Sequence, residues 1–460
     1  MTTCTVQVAR LCVAGALATL PLFSAPPVSA VTPPPVDDSM LPKPGPPAPP
    51  RPTEQQERCA TAPPADSRTA AAGQLSGLDL KQVWEFTRGA GQTVAVIDTG
   101  VARHRLLPHL VPGGDYVYTG DGTDDCDGHG TVVAGIVGAQ PDSGRSTFSG
   151  IAPDATIVSI RQSSNKFRAI DDPSGSGFGD VDTLAKAVRT AADKGATVIN
   201  VSSVACLPTD GALDDRPLGA ALAYAVDVKN VVVVSAAGNV GGPGQCPEQN
   251  PATDPARPGQ PDWDRVNVVV SPAWYDDYVL TVGSVNPRGA PSAFSLAGPW
   301  VDVAAPGEGI VSLDPDGEGL MSSVPSSGDP TPISGTSYAA PVVSGIVALV
   351  RSRSPELTAR QVMQRIEETA HRPAAGWDPV VGHGVVDALA AVGGDGTTAA
   401  ASEQTRSQPV SRPAVTAADH RAHRYAVGGA AICLAISVAT VGMTASAARL
   451  RRSRDAVTRD

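Results

Sequence analysis

The chain alternates between short apolar runs and longer stretches with helical periodicity. The apolar runs are rich in valine and isoleucine and too short for helices, so they predict buried strands. They lie at 94–97, 156–160, 197–201, 231–235, 279–285 and 300–305. The helical stretches lie among them at 181–194, 218–228, 337–353 and 358–369. Buried strands alternating with helices predict an α/β domain with a mainly parallel central sheet flanked by helices.

The two ends of the chain carry apolar segments of another kind. Residues 1–30 contain one arginine, then an apolar stretch, and end in Val-Ser-Ala, which predicts a secretory signal peptide cleaved after Ala30. A membrane anchor is the alternative, but the stretch is shorter than the ~20 residues a span needs. Residues 425–448 lack charged side chains and precede an arginine-rich segment, 449–460. This pattern predicts a transmembrane helix with a basic cytoplasmic tail, with a buried alanine-rich helix as the alternative.

Two further segments connect these ends to the body of the chain. Residues 31–74 are rich in proline, which predicts an extended, polyproline-like extension. Residues 393–424 are rich in Gly, Ser, Thr and Ala without apolar periodicity, which predicts a flexible linker. Residues 75–392 remain as a single folded domain.

Charge and cysteine usage agree with export. The chain has 35 Lys and Arg against 46 Asp and Glu, a net charge of −11, which argues against nucleic acid as a main partner. Of seven cysteines, two lie in the predicted signal peptide and one in the predicted span. The remaining four, Cys59, Cys126, Cys206 and Cys246, predict two disulfides in an oxidising compartment. Their spacing leaves three pairings open, and without a C-x-x-C pair it disfavours a zinc site.

Four polar blocks stand where an α/β domain places its chemistry, beyond strand ends and at helix starts. Asp98 follows the apolar run at 94–97, His129 lies between two glycines before an apolar helical run, and Ser337 precedes a long apolar helix. A serine hydroxyl needs a neighbouring base, and a carboxylate orients a histidine for that role. Asn239 follows the run at 231–235 and can donate to an oxyanion. Each block alone is equally typical of a turn or a helix cap, but together they predict a nucleophilic serine site.

These blocks, read as VAVIDTGV, DGHGTVVAGIVG, VVVVSAAGN and SGTSYAAPVVSGIVALV, resemble the motifs of subtilisin-like serine proteases. The resemblance covers roughly residues 75–392 and implies a subtilisin-like fold. It implies Asp98 as the orienting carboxylate, His129 as general base and acid, and Ser337 as nucleophile. Asn239 and the Ser337 backbone N–H would form the oxyanion hole. Pro341 fits such a helix only in its first turn.

One segment departs from the family pattern. At 199–208 the chain reads INVSSVACLP, where many family members have a glycine-containing strand that binds the substrate backbone. We expect Ser202 and Ser203 to bind substrate there, although Val204 and Ala205 replace the glycines. The acidic run at 120–130 is a second feature, which we expect to be a solvated loop rather than a cation site. No metal and no cofactor are expected.

The order of segments, from signal peptide and proline-rich extension to linker, span and basic tail, is similar to that of mycosins. Mycosins are membrane-anchored subtilisin-like proteases associated with type VII secretion systems. The resemblance implies an extension wrapped around the domain and the disulfides Cys59–Cys126 and Cys206–Cys246. It also implies an exported protein substrate, the secretion membrane complex as partner, and a catalytic domain on the extracytoplasmic side of the cell membrane. The alternative is a mainly structural component of that complex, with proteolysis secondary.

Overall fold

The computed structural model describes residues 31–61, 75–141, 148–209, 211, 213–242, 244–252, 254–324 and 330–394. The predicted signal peptide, span and tail lie outside these ranges, as does the predicted linker beyond residue 394. Within the described ranges, no helix has the length and apolar character needed to cross a membrane.

A seven-stranded parallel sheet forms the centre of the domain. The strands along the chain are β1 Thr53–Gln55, β2 Thr93–Asp98, β3 Leu110–Asp115, β4 Thr156–Arg161, β5 Phe167–Ala169, β6 Val198–Val201, β7 Ala205–Pro208, β8 Val232–Ala236, β9 Val268–Ser271, β10 Val279–Val285, β11 Val303–Pro306, β12 Glu308–Ile310, β13 Ser312–Leu313, β14 Leu320–Met321, β15 Ser323–Val324 and β16 Thr331–Ser334. Seven of them form the central sheet in the order β11-β10-β8-β6-β2-β4-β3. The other described strands form small antiparallel pairs and a three-stranded sheet.

Helices pack against this sheet. They are α1 Leu80–Phe86, α2 His129–Gly138, α3 Val181–Asp193, α4 Arg216–Ala223, α5 Thr336–Arg353, α6 Ala359–Thr369 and α7 Ala388–Gly393. Helix α5 is buried over almost its whole length and packs on β6, β8, β10, β11 and α2. Helix α3 packs with α4 and is strongly amphipathic, so its apolar side joins the core. The predicted α/β domain with a parallel sheet is confirmed.

The six predicted strands are all in the central sheet, but its seventh strand, β3, was not predicted. β3 contains Pro112 and two glycines, which are typical of turns rather than strands. It lies at the edge of the sheet, where a proline is tolerated because the strand has a pairing partner on one side only. Its register against β4 shifts between Pro112 and Gly114. The expectation for Pro341 was wrong: α5 begins at Thr336, so Pro341 lies in the second turn.

The described part of the proline-rich extension, residues 31–61, is tied to the domain at widely separated points. The Val31 N–H donates to the Trp263 carbonyl at 3.0 Å, and Arg189 donates to the carbonyl of Pro42. Further along, β1 pairs antiparallel with β5, and Cys59 is bonded to Cys126. The segment therefore runs along the domain and ends beside the loop that precedes α2.

Candidate active site

Asp98 and His129 form a direct hydrogen-bonded pair. Asp98 is the last residue of β2 and is fully buried, and one of its carboxylate oxygens lies 2.7 Å from Nδ1 of His129. The same oxygen accepts the Thr99 backbone N–H at 2.7 Å. Because a carboxylate only accepts, Nδ1 carries the proton and Nε2 is left as the basic nitrogen. This is the tautomer that a general base requires.

The start of α2, which carries His129, is held by a second carboxylate, that of Asp125. Its two oxygens accept the backbone N–H groups of Gly128 and Thr131, at 2.8 Å each, and the Thr131 hydroxyl at 2.7 Å. The Thr99 hydroxyl donates to Asp125 at 2.8 Å and accepts the Gly130 N–H at 3.0 Å. These bonds satisfy helix N–H groups that otherwise have no partner and fix the backbone around the histidine. The expectation that this acidic run is solvated does not hold for the Asp125 carboxylate, which protein donors surround. Asp125 was not singled out from the sequence, since nothing local distinguishes it from the other acids of the run.

Electrostatics favour the protonated form of the imidazole. Burial works against the charged form, but the carboxylates of Asp98, Asp125 and Asp127 outweigh it, so the pKa of His129 is raised above its ordinary value. The Asp127 carboxylate itself accepts from the Ser164 hydroxyl and from the Asn165 N–H at 2.8 Å. It thereby ties the histidine loop to a loop that lines the cleft. Burial also raises the pKa of Asp125, against its hydrogen bonds to Thr131 and Thr99.

Ser337 and Asn239 meet at the start of α5. Ser337 is the second residue of that helix, where backbone N–H groups are free of helix partners. The Asn239 side-chain oxygen accepts the Thr336 N–H at 2.9 Å and the Thr336 hydroxyl at 3.1 Å. Its amide nitrogen is therefore the end that can donate to a ligand. The Cys246 N–H donates to the Asn239 carbonyl at 2.8 Å, so the backbone of this residue is held independently.

One cleft of about 1100 Å³ brings these residues together. Its lining includes His129, Ser337 and Asn239, together with Ser202 and Ser203. Asp98 lies behind His129 rather than on the cleft wall. A second disulfide, Cys206–Cys246, forms part of the wall. Both disulfides are the pairs that the resemblance implies.

Ser202 directs its hydroxyl toward the start of α5. It is 5% exposed, and its hydroxyl donates to the backbone carbonyl of Ser337 at 2.8 Å. Ser203, the next residue, is half-buried and lines the cleft. The two serines thus lie at the cleft with different surroundings. We find no group of three or more His, Cys, Asp or Glu side chains placed to hold a metal ion in the described ranges.

Comparison with known proteins identifies the family of the chain. The family model described as the subtilase family matches residues 89–384. The chain is 58% identical to Mycosin-4 of Mycobacterium tuberculosis, over 98% of either protein. The chain belongs to the mycosin group of the subtilase family. It is therefore a subtilisin-like serine protease, and its central domain has the subtilisin-like α/β fold.

Two solved structures of relatives carry the same fold. One is that of the MycP3 protease from the type VII (ESX-3) secretion system, with 46% identity and a TM-score of 0.72, covering 79% of this chain and 100% of that one. The other is the periplasmic assembly from the ESX-5 inner membrane complex, with 42% identity and a TM-score of 0.73, covering 79% of this chain and 94% of that one. The subtilisin-like α/β fold, expected from the motifs, and mycosin membership, expected from the order of segments, are confirmed.

Proposed function

We propose that this mycosin is an endopeptidase that cleaves an exported protein through an acyl-enzyme on Ser337. The observation that carries the proposal is the 2.7 Å bond between buried Asp98 and Nδ1 of His129, with Ser337 lining the same cleft as that histidine. The pair leaves Nε2 free to take the hydroxyl proton. The cleft is large enough for several residues of an extended peptide.

The proposed reaction uses His129, Ser337 and Asn239 at the cleft and Asp98 behind the histidine. Nε2 of His129 accepts the Ser337 hydroxyl proton as the oxygen attacks the scissile carbonyl, while Asp98 stabilises the imidazolium. The Asn239 amide and the Ser337 N–H stabilise the oxyanion, and the positive end of α5 adds to this field. His129 then protonates the leaving amine. Water, activated by the same histidine, releases the acyl group.

Replacement of the nucleophile tests the assignment. Ser337→Ala should abolish hydrolysis of a peptide substrate and labelling by a serine-directed phosphonate. Ser334→Ala is a matched control, because this serine is exposed, precedes α5 and is not among the cleft residues. Labelling of the Ser337→Ala variant at another residue would show that the nucleophile is misassigned.

We also propose that residues 1–30 direct export, that 425–448 anchor the protein in the cell membrane with 449–460 in the cytoplasm, and that 75–392 form the peptidase domain outside. The charge-free apolar segment and the arginines after it support this topology. External protease added to permeabilised envelopes should spare a tag after residue 449. Digestion of that tag would show the reverse orientation.

Association with a type VII secretion membrane complex is the last part of the proposal. Its support is the similarity to the chain in the ESX-5 periplasmic assembly. This similarity also favours a second candidate function, a structural role in such a complex. Secretion in a strain that carries only Ser337→Ala separates the two functions. Lost processing of a secreted protein supports the protease, whereas normal secretion there, with failure on full deletion, supports the structural role.

A further inference from the structure

The hydroxyl of Ser202 is directed at the backbone of the proposed nucleophile. Ser202 follows β6 directly, and its hydroxyl oxygen lies 2.8 Å from the carbonyl oxygen of Ser337. Both residues are buried, with 5% and 9% of their surface exposed. The contact therefore joins the end of a central strand to the start of α5.

Pro341 explains why this carbonyl is available. In an uninterrupted α-helix the carbonyl of residue 337 accepts the N–H of residue 341, four positions later. Proline has no N–H, so the Ser337 carbonyl loses its helix partner in the second turn of α5. A buried carbonyl without a donor is costly. The Ser202 hydroxyl replaces the missing donor.

Two further buried side chains orient that hydroxyl. The Asn200 amide nitrogen donates to the Ser202 oxygen at 2.9 Å, so the Ser202 proton must point away from it, toward the carbonyl. The Asn200 oxygen accepts the Ser344 hydroxyl at 2.8 Å, which fixes which way the amide is turned. Asn200 and Ser344 are fully buried. Because Ser344 lies two turns after Ser337, the chain of bonds begins and ends on α5 and passes through β6.

We propose that Ser202, supported by Asn200 and Ser344, is a positioning residue that holds the Ser337 backbone, and with it the directions of the Ser337 hydroxyl and N–H. This inference rests on the proposed role of Ser337 as nucleophile. A misplaced nucleophile loses rate without losing substrate affinity. The role differs from binding of the substrate backbone, which would alter KM.

A second-site rescue tests the inference. Ser202→Ala should lower kcat roughly 10- to 100-fold with KM within about 2-fold, because small displacements of reacting groups have effects of this order. Pro341→Ala supplies a backbone N–H four residues after Ser337. Alone it should leave kcat within about 3-fold, since a carbonyl accepts two hydrogen bonds. Combined with Ser202→Ala it should restore most of the lost kcat.

Ser159→Ala is the matched control. Ser159 is a fully buried serine whose hydroxyl also donates to a backbone carbonyl, that of Gly122 at 2.6 Å, away from the cleft lining. It should lower the melting temperature and retain kcat. An unchanged kcat in Ser202→Ala, or a loss that Pro341→Ala does not restore, overturns the positioning role.

Two more measurements distinguish a failure of the positioning role from a failure to fold and from a wrong proposed function. If Ser202→Ala does not fold, Ser344→Ala takes its place, because it frees the Asn200 amide and leaves the Ser202 hydroxyl present; kcat should then fall roughly 3- to 10-fold and recover with Pro341→Ala. No loss, or no recovery, overturns the inference. Hydrolysis that survives Ser337→Ala overturns the proposed function instead, whatever the Ser202 variants show.

Discussion

Asn239 offers a direct test of how the site stabilises charge. Its side-chain oxygen accepts from Thr336, so in the proposed mechanism the amide nitrogen is the atom that donates to the developing oxyanion. Loss of one such donor typically costs about 2.7–4 kcal/mol of transition-state stabilisation, or roughly 100- to 1000-fold in kcat. Asn239→Ala should therefore lower kcat by that factor and change KM little, because the donor acts mainly in the transition state.

The alanine variant has a second effect that must be separated. It also removes the acceptor for two Thr336 donors at the start of α5, one of which is a backbone N–H. Leaving such a donor unpaired costs about 1–3 kcal/mol of stability. Asn239→Asp is the matched variant, because its carboxylate keeps an oxygen for Thr336 and replaces only the amide nitrogen. It should melt closer to the unmodified protein than Asn239→Ala does, yet have equally low kcat, since a carboxylate repels the oxyanion.

The assay is steady-state hydrolysis of a chromogenic peptide, with the active fraction determined by phosphonate titration and stability by thermal unfolding. The expected pattern is two variants with similarly low kcat but different melting temperatures. If Asn239→Asp retained kcat within about 3-fold, the amide nitrogen would not face the oxyanion and the proposed oxyanion hole would be wrong.

Three other predictions concern pH, covalent ties and packing. The acidic limb of the pH profile of kcat/KM reports protonation of the general base. Because Asp127 helps raise the pKa of His129, Asp127→Asn should move that limb to lower pH. A limb that stays in place or moves to higher pH would contradict the role of Asp127. Replacing Cys59 and Cys126 with alanine removes a covalent link between residues 67 apart, and the gain in chain entropy of the unfolded state should lower the free energy of unfolding by about 4 kcal/mol in denaturant titrations. A loss below about 1 kcal/mol would show that tying the extension to the domain contributes little to stability. Gly345→Ala places a Cβ atom 2.5 Å from an isoleucine side-chain carbon in the core, so the melting temperature should fall by several degrees, and an unchanged value would contradict the tight packing of α5.

The central strands were predictable because burial on both faces demands continuous valine and isoleucine. β8, for example, begins with three valines, and all five of its residues are buried. β3 was not predictable by the same reasoning, since an edge strand tolerates Pro112 and adjacent glycines that a central strand would exclude. The pairing of β3 depends on its neighbour β4, and the residues of β3 alone carry no signal for that contact.

The site shows the same division. The placement of Asp98, His129 and Ser337, at a strand end and at two helix starts, was predictable from their motifs. The role of Asp125 was not, because a run of acidic residues is typical of solvent-exposed loops, and the pairing of its carboxylate depends on the Thr99 and Thr131 donors that the fold brings to it. Ser202 lines the cleft, but the direction of its hydroxyl follows from a missing N–H more than a hundred residues away.

Hydrogen bonds within the site determine which of its atoms remain available for the reaction. Nδ1 of His129 is hydrogen-bonded to Asp98, so Nε2 is the nitrogen that can act as a base. The side-chain oxygen of Asn239 accepts from Thr336, so its nitrogen is the atom that can donate to a ligand. In each case a half-buried group with two possible roles has one of them removed by a bond of 2.7–2.9 Å. The Ser337 carbonyl is likewise held by a hydrogen bond, because the Ser202 hydroxyl donates to it in place of the N–H that Pro341 lacks. A preorganised site of this kind needs no reorganisation of these dipoles during reaction, which is the physical basis of large electrostatic stabilisation. Variants that free the occupied atom should therefore impair catalysis even when the reacting atom itself is unchanged.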